Sequence, residues 1–376
     1  MSTPKWTEWV DGQLDQVRAA NRWRSAIPFD SLGPLGRLPN GADVLSFSSN
    51  DYLGLTHHPA VISASIAATQ RWGAGAGASR LIAGSRPIHH ELEERLAEWR
   101  ETEAALVYPT GFAANIGLLG TLGGEGCTIF SDELNHASII DGCRFARSNG
   151  AVVKVYKHCD IADLRQKMEQ ASGRIIVVTD SVFSMDGNTA PIDELIELCA
   201  TFGAMLITDE AHGVLEPVPH NHNVEIVQVG TLSKTLGALG GFIAARQNII
   251  DLCVNRSRSW IFTTALQPGA AAAANAALEI VMSPEGEALK EKLRHNVSLL
   301  RPGHHSPIIP IMCGTEKRAI HLSAALLEQG MFVPAIRPPT VPENTCRLRV
   351  ALSASHTDEQ ITQLIEVLNK LGVEQL

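Results

Sequence analysis

At 376 residues the chain exceeds what one ordinary hydrophobic core holds, which favours two packed units. Its 45% apolar content excludes a disordered or collagen-like polymer. With 31 Lys and Arg against 40 Asp and Glu, a net charge of −9 and no basic run, it has no electrostatic footprint for nucleic acid or an anionic membrane.

The N-terminal stretch carries Lys5, Glu8, Asp11 and Asp15 and lacks the apolar centre of a signal peptide, so a cytoplasmic location is expected. The pattern predicts a helical arm over Trp6–Arg24, then a loop with Gly33, Pro34, Gly36 and Pro39. Residues 1–44 are too few to fold alone and must pack on their own core or on a partner subunit. From residue 45 to 283 short apolar runs alternate with helical patterns. Ala104–Tyr108, Cys127–Phe130, Ala151–Tyr156, Arg174–Thr179, Ala204–Thr208, Ile226–Val229 and Gly241–Ala245 read as buried strands. Asn135–Ser148, Asp160–Gln170 and Ile192–Thr201 read as helices between them. This alternation predicts an α/β unit whose mostly parallel sheet is covered on both faces. Ala265–Met282 is broken by Gln267, Pro268, Asn275 and Glu279, so it reads as a buried helix and not a membrane span.

Residues 284–376 change rhythm. Pro307–Cys313, Met331–Ile336 and Cys346–Ala351 are strand-like, with helices at Thr315–Gln329 and Thr357–Leu371, the latter opened by a Thr357/Gln360 capping box. A smaller α+β unit is expected there. The seven cysteines are scattered without a C-x-x-C pair, and the histidines do not stand near them at ligand spacing, so neither a disulfide scaffold nor a metal site is expected. His220 and His222 read as solvated loop residues. There is no internal repeat.

Two strands end in acids, Asp180 and Asp209, and in such sheets sites gather at the carboxyl ends of strands. His212 follows Asp209 by three residues. The next strand leads into Thr231-Leu232-Ser233-Lys234. A carboxylate and a lysine on one rim serve pyridoxal phosphate well. The amine binds the cofactor's aldehyde, and the carboxylate keeps the pyridine nitrogen protonated. The cofactor's phosphate needs donors, and Tyr108-Pro109-Thr110-Gly111-Phe112 runs from a strand into an apolar helix whose free N–H groups suit an anion. Phe112 could pack near the ring or equally belong to the core, and Thr231 offers a hydroxyl. The run Gly73–Gly77 follows a helix and lacks the spacing of a dinucleotide loop.

These motifs together resemble the α-oxoamine synthases, which are fold-type I pyridoxal-phosphate enzymes. The resemblance covers Phe47–Leu55, Gly111–Asn115, Leu134–Ser138, Val182–Gly187, Asp209–Gly213, Thr231–Lys234, Ile336–Pro342 and Arg347–Arg349. It implies a fold-type I transferase with a large sheet domain and a small C-terminal α+β domain, assembled as a homodimer with sites at the seam. It assigns Lys234 to covalent cofactor binding and Asp209 to the pyridine nitrogen. Ser184 and His212 would lie on the side of the phenolic oxygen. Gly111, Phe112 and Thr231 would hold the phosphate, and His136 would stack on the ring and donate to a substrate carboxylate. Arg24, Arg337 and Arg349 would bind carboxylates, with Thr340 beside them.

The activity implied is decarboxylative condensation of L-alanine with pimeloyl-CoA, or with a pimeloyl thioester on a carrier, in biotin biosynthesis. A sister synthase using glycine and another acyl-CoA stays open, as does a fold-type I aminotransferase, which would release no CoA. A catalytically dead relative would not be expected to keep Lys234, Asp209, His136 and His212 together. The chain departs from the family pattern twice. Val214–Gly230 is short and lacks a Gly/Arg-rich loop, and Asp180-Ser181 stands in place of Glu-Gly. Both departures bear on the acyl channel and the subunit seam rather than on Lys234, Asp209 or His212.

Overall fold

The structure, a computed structural model, describes residues 5–219, 221 and 223–373. His220 and His222 lie outside the described residues. Strands β1 (Asp30–Leu32), β2 (Leu35–Arg37) and β3 (Asp43–Ser46) come first in the chain. They are followed by β4 (Ala104–Tyr108), β5 (Cys127–Asp132), β6 (Val152–Tyr156), β7 (Arg174–Asp180), β8 (Met205–Asp209), β9 (Ile226–Thr231) and β10 (Gly241–Ala245). These seven form one sheet in the order β4-β10-β9-β8-β7-β5-β6. β9, β8, β7, β5 and β6 run parallel, and β10 is antiparallel to both its neighbours.

The apolar runs are near-continuous because successive side chains enter different cores. Ile129, Ile176, Val178 and Ile207 pack into one apolar cluster with the helices Gly111–Leu122 and Ala137–Ser148. Phe130, Ile175, Val177 and Leu206 pack into another with Leu164, Leu195 and Leu198. Full burial of each such side chain contributes roughly 1.5–3 kcal/mol. The two helices on the first face pack closely. A Cβ on Gly120 would overlap the Phe145 ring, so glycine is what admits this approach. The Ala265–Met282 run forms the buried helix Pro268–Val281, and among the described residues no helix is long and apolar enough to cross a membrane.

The remaining strands are β11 (Ile308–Gly314), β12 (Met331–Phe332), β13 (Ala335–Ile336) and β14 (Cys346–Ala351). β11, β14 and β13 make a three-stranded sheet. The capping box at Thr357 forms as the sequence predicts, with Gln360 N donating to Thr357 Oγ1 at 3.3 Å and Thr357 N donating to Gln360 Oε1 at 3.1 Å.

Three elements differ from the sequence reading. The arm helix spans Lys5–Ala19 and stops short of Arg24, because Asn21 takes a positive φ of 53° and turns the chain. The stretch read as a loop is a β-hairpin. β1 and β2 pair through the two-residue turn Gly33-Pro34, where Gly33 has φ 67°, the geometry a turn with glycine first requires. Finally, Met331–Ile336 is two strands. β12 runs parallel to β3, and after Val333 and Pro334 the chain crosses to pair β13 with β14. Pro334 lacks the N–H that an uninterrupted strand would use. The hairpin and a C-terminal strand therefore share one sheet, of order β1-β2-β3-β12.

Candidate active site

Parallel register places Asp180 opposite Asp209 at the carboxyl ends of β7 and β8. Both are buried, at 3% and 5% exposure. Asp209 Oδ1 accepts from Ala211 N at 2.9 Å, and Oδ2 accepts from Asn115 Nδ2 at 2.6 Å. Asp180 Oδ2 accepts the His136 N–H at 2.7 Å. Burial and the neighbouring Asp209 push the Asp180 carboxyl well above its ordinary range.

The end of β9 leads through Thr231 and Ser233 to Lys234, which opens into the same cavity of about 210 Å3 as Asp209, Asp180, His136 and His212. Burial lowers the Lys234 ammonium, while Asp209 and Asp180 push it back up. Its Nζ lies 2.8 Å from His212 Nε2. Burial holds His212 well below the ordinary imidazole value, and the positive Lys234 and Arg349 add to that.

The helix Gly111–Leu122 points its N-terminus at the cavity, whose wall includes Thr110, Gly111 and Phe112. Thr110 caps it by accepting from Ala113 N at 3.1 Å through its side chain and from Ala114 N through its carbonyl. The N–H groups of Gly111 and Phe112 have no acceptor among the described residues. Two free donors at the positive end of a helix dipole make an anion cradle; the Thr231 hydroxyl on the same wall donates to the Gly240 carbonyl at 3.0 Å and joins the cradle only by turning away from it. Phe112 is 42% exposed and meets His136 edge to face.

Seven residues singled out from the sequence thus line one cavity: Gly111, Phe112, His136, Asp209, His212, Thr231 and Lys234. Five are not among its lining residues. Ser184 presents its carbonyl to Arg349 Nε at 2.6 Å, and Arg349 Nη2 bonds Asn50 Oδ1 at 3.0 Å. Arg24 donates to Thr340 Oγ1 at 3.0 Å. Arg337 is spent on the arm, donating to the carbonyls of Asn21 at 2.5 Å and Trp23 at 3.4 Å.

Residues that sequence reasoning left without a role join the site. Asp180 and Ser138 line the cavity, and Asn115 reaches Asp209 from behind it. Tyr52 Oη lies 2.5 Å from His212 Nδ1. All four sit inside the motifs or strand ends read above, so position was available and only the hydrogen-bonding role was not.

The expectation that histidine and cysteine stay apart needs correction. The neighbours His158 and Cys159 meet Asp132 at the end of β5, with ligand-type atoms within 4.8 Å of one another. Asp132 is already committed there, accepting from Leu134 N, His158 Nδ1 and Cys159 N, each at 2.9 Å. Sequence spacing missed the cluster because its carboxylate comes from another strand.

The donor set fits pyridoxal phosphate: an anion cradle, a buried carboxylate, and a lysine of lowered basicity in one cavity. Comparison with known proteins agrees. The family model for aminotransferase class I and II matches residues 42–368. An 8-amino-7-oxononanoate synthase of Geobacter sulfurreducens is 39% identical, the match covering 98% of this chain and 99% of that protein. Another, of Anaeromyxobacter dehalogenans, is 44% identical over 96% of this chain and 94% of its own. Among solved structures, serine palmitoyltransferase from S. paucimobilis superposes with a TM-score of 0.90 at 27% identity, covering 98% of each chain. The chain therefore belongs to the aminotransferase class I and II family and, within it, to the 8-amino-7-oxononanoate synthases.

Proposed function

We infer that this chain is a pyridoxal-phosphate-dependent acyltransferase that joins L-alanine to a pimeloyl thioester, releasing the thiol and carbon dioxide to give 8-amino-7-oxononanoate for biotin biosynthesis. The observation that carries the reading is the opening of Lys234 and Asp209 into one cavity on the rim of the sheet. When bound, pyridoxal phosphate supplies an electron sink that stabilises negative charge at the α-carbon of an amino acid.

The chain's residues do the rest. The N–H groups of Gly111 and Phe112 and the Thr231 hydroxyl would hold the phosphate, and Asp209 would keep the pyridine nitrogen protonated. Lys234 Nζ would bind the cofactor covalently. Once alanine displaces it, the freed amine would take the α-proton, a task its lowered basicity suits. His136 would cover the ring face. His212 and, after a shift of its turn, Ser184 would face the phenolic oxygen. Arg349 would receive the alanine carboxylate, Arg24 and Thr340 would serve the acyl end, and Arg337 would serve it through the arm that it holds.

The same reading takes residues 45–283 as the cofactor-binding unit, 1–44 as the arm and 284–376 as the small unit, in a cytoplasmic homodimer. Ile82 and Phe262, 82% and 70% exposed, are apolar side chains that a second copy would cover. CoA serves as the thiol in this reading, with a carrier-bound pimeloyl thioester as the alternative donor.

The test is direct. The chain is loaded with pyridoxal phosphate, reduced with borohydride and mapped by peptide mass, and thiol release is followed with alanine and pimeloyl-CoA. The label belongs on Lys234, and Lys234→Ala should abolish it. A label on another lysine, or turnover of alanine without thiol release, overturns the reading.

A further inference from the structure

Three side chains of the cavity wall and one behind it form a hydrogen-bonded chain whose direction is fixed by chemistry. Asn115 Nδ2 donates to Asp209 Oδ2 at 2.6 Å and to Ser138 Oγ at 2.9 Å. The opposite amide orientation would press the Asn115 carbonyl oxygen against a carboxylate oxygen, so the nitrogen must face Asp209. Ser138 Oγ, having accepted from Asn115, keeps its single proton for another partner. That partner is His136 Nδ1 at 2.7 Å. The Ser138 backbone N–H also points at His136 Nδ1, at 3.3 Å, so this nitrogen is an acceptor twice over. A neutral imidazole with Nδ1 as acceptor carries its proton on Nε2.

We propose that Asn115 and Ser138 are positioning residues that fix His136 as the Nε2–H tautomer and tie its ring to Asp209. Asn115 and Ser138 are each 1% exposed, so the relay is shielded from water that would otherwise scramble it. Burial also lowers the His136 imidazole, with Lys234 adding to the effect and Asp209 opposing it, which keeps the ring neutral. The backbone N–H of His136, held by Asp180, fixes the other end of the residue. His136 Nε2 has no partner among the described residues, so the ring offers one aimed donor at the cavity wall.

The consequence rests on the function proposed above. A donor at Nε2 suits the carboxylate of an amino acid and would be lost in the other tautomer. Asp209 and His136 are thus set by one network, although one ends a strand and the other caps the helix Ala137–Ser148.

Nitrogen-15 NMR of the full chain, with and without pyridoxal phosphate, reads the tautomer of His136 directly, the signal being assigned through His136→Gln. Wild type should show the Nε2–H pattern in both states. Ser138→Ala keeps only the longer backbone N–H contact at 3.3 Å to Nδ1, so the tautomer balance should shift measurably toward Nδ1–H and KM for alanine should rise about tenfold, with kcat changed much less. Ser138→Thr, which keeps the hydroxyl, should restore both. An Nδ1–H pattern in wild type overturns the proposal without any variant, and so does an unchanged tautomer in Ser138→Ala. If wild type takes up no pyridoxal phosphate, the proposed function fails instead, and the role given to His136 fails with it whatever its tautomer.

Discussion

Lys234 Nζ lies 2.8 Å from Nε2 of His212, so the amine proposed to hold the cofactor donates to a neutral, buried imidazole. The other ring nitrogen of His212 meets Tyr52 Oη at 2.5 Å, and that hydroxyl lies 3.1 Å from Asn50 Oδ1. Asn50 in turn accepts from Arg349. The chain is directional. If Lys234 donates to Nε2, Nδ1 carries the proton, Tyr52 accepts it and passes its own to Asn50. The lysine is thereby connected to the arginine proposed for the amino-acid carboxylate.

Tyr52→Phe tests this line of bonds. The ring is fully buried, so the variant keeps the packing and removes only the oxygen. His212 Nδ1 loses its one described side-chain partner, and a buried polar group left unpaired costs about 1–3 kcal/mol. The denaturation midpoint in urea should fall accordingly with an unchanged slope. A midpoint equal to wild type would mean that water replaces the hydroxyl and that the connection from Lys234 to Arg349 carries no energy.

Asp209→Asn should keep the fold, because an amide fills the same volume and its oxygen can still accept from Ala211 N. It should lose most of the chemistry, because an amide does not keep a pyridine nitrogen protonated. Exchange of the alanine α-proton with deuterated water, followed by NMR, should slow by roughly a hundredfold or more. Exchange at the wild-type rate would show that another group serves the nitrogen.

The cluster at Asp132 makes a prediction about pH rather than activity. Burial pulls the His158 imidazole down, but the hydrogen bonds with Asp132 and Cys159 outweigh it and lift the group to about 10. The folded value is above the unfolded one of about 6.5. Between these values the native state holds more protons than the unfolded state, so this contribution to stability is complete below about pH 6.5 and fades as pH rises through 10. The difference in melting temperature between wild type and His158→Gln should therefore shrink as pH rises across that window. A gap that stays constant would mean that His158 is neutral in the folded chain.

Much of this architecture was legible because periodicity and burial agree. Ala104–Tyr108, Gly241–Ala245 and Cys346–Ala351 match the strands β4, β10 and β14 end to end, the first two as apolar runs and the third as apolar residues alternating with Arg347 and Arg349. The hairpin at Gly33-Pro34 was hidden because its strands are three residues each and largely exposed, so no alternation of apolar and polar residues marks them. The site was legible where one strand end supplies one residue, as at Asp209 and Lys234. It was not legible where partners meet across the fold. Asn115 reaches Asp209 over 94 positions and Tyr52 reaches His212 over 160, and no spacing rule encodes such pairs. The present partners of Arg337 were hidden for the same reason. Its fork matches a carboxylate in shape, but the carbonyls of the arm arrive first.

The last prediction concerns the acyl substrate. A pimeloyl chain ends in a carboxylate that acetyl and palmitoyl chains lack, so selectivity needs a cation at the far end of the acyl path. Arg337 is committed to the arm, whereas Arg24 has only the Thr340 hydroxyl as its described partner and keeps free donors. A carboxylate deprived of its partner in a closed site costs on the order of 3 kcal/mol, roughly a hundredfold in specificity. Pimeloyl-CoA should therefore exceed acetyl-CoA and palmitoyl-CoA in kcat/KM by about that factor with alanine as co-substrate. Arg24→Met should reduce the preference to about tenfold or less, raising KM for pimeloyl-CoA while leaving the poor substrates unchanged. Arg24 is exposed in this chain, where an ion pair contributes at most about 1 kcal/mol, so the hundredfold preference requires the bound acyl chain to shield the pair from water. Arg337→Met should act in the same direction by loosening the arm that carries Arg24. Equal turnover of acetyl-CoA by wild type would remove the pimeloyl assignment and leave the roles of Lys234 and Asp209 untouched. Selectivity that survives in Arg24→Met would place the acyl cation elsewhere.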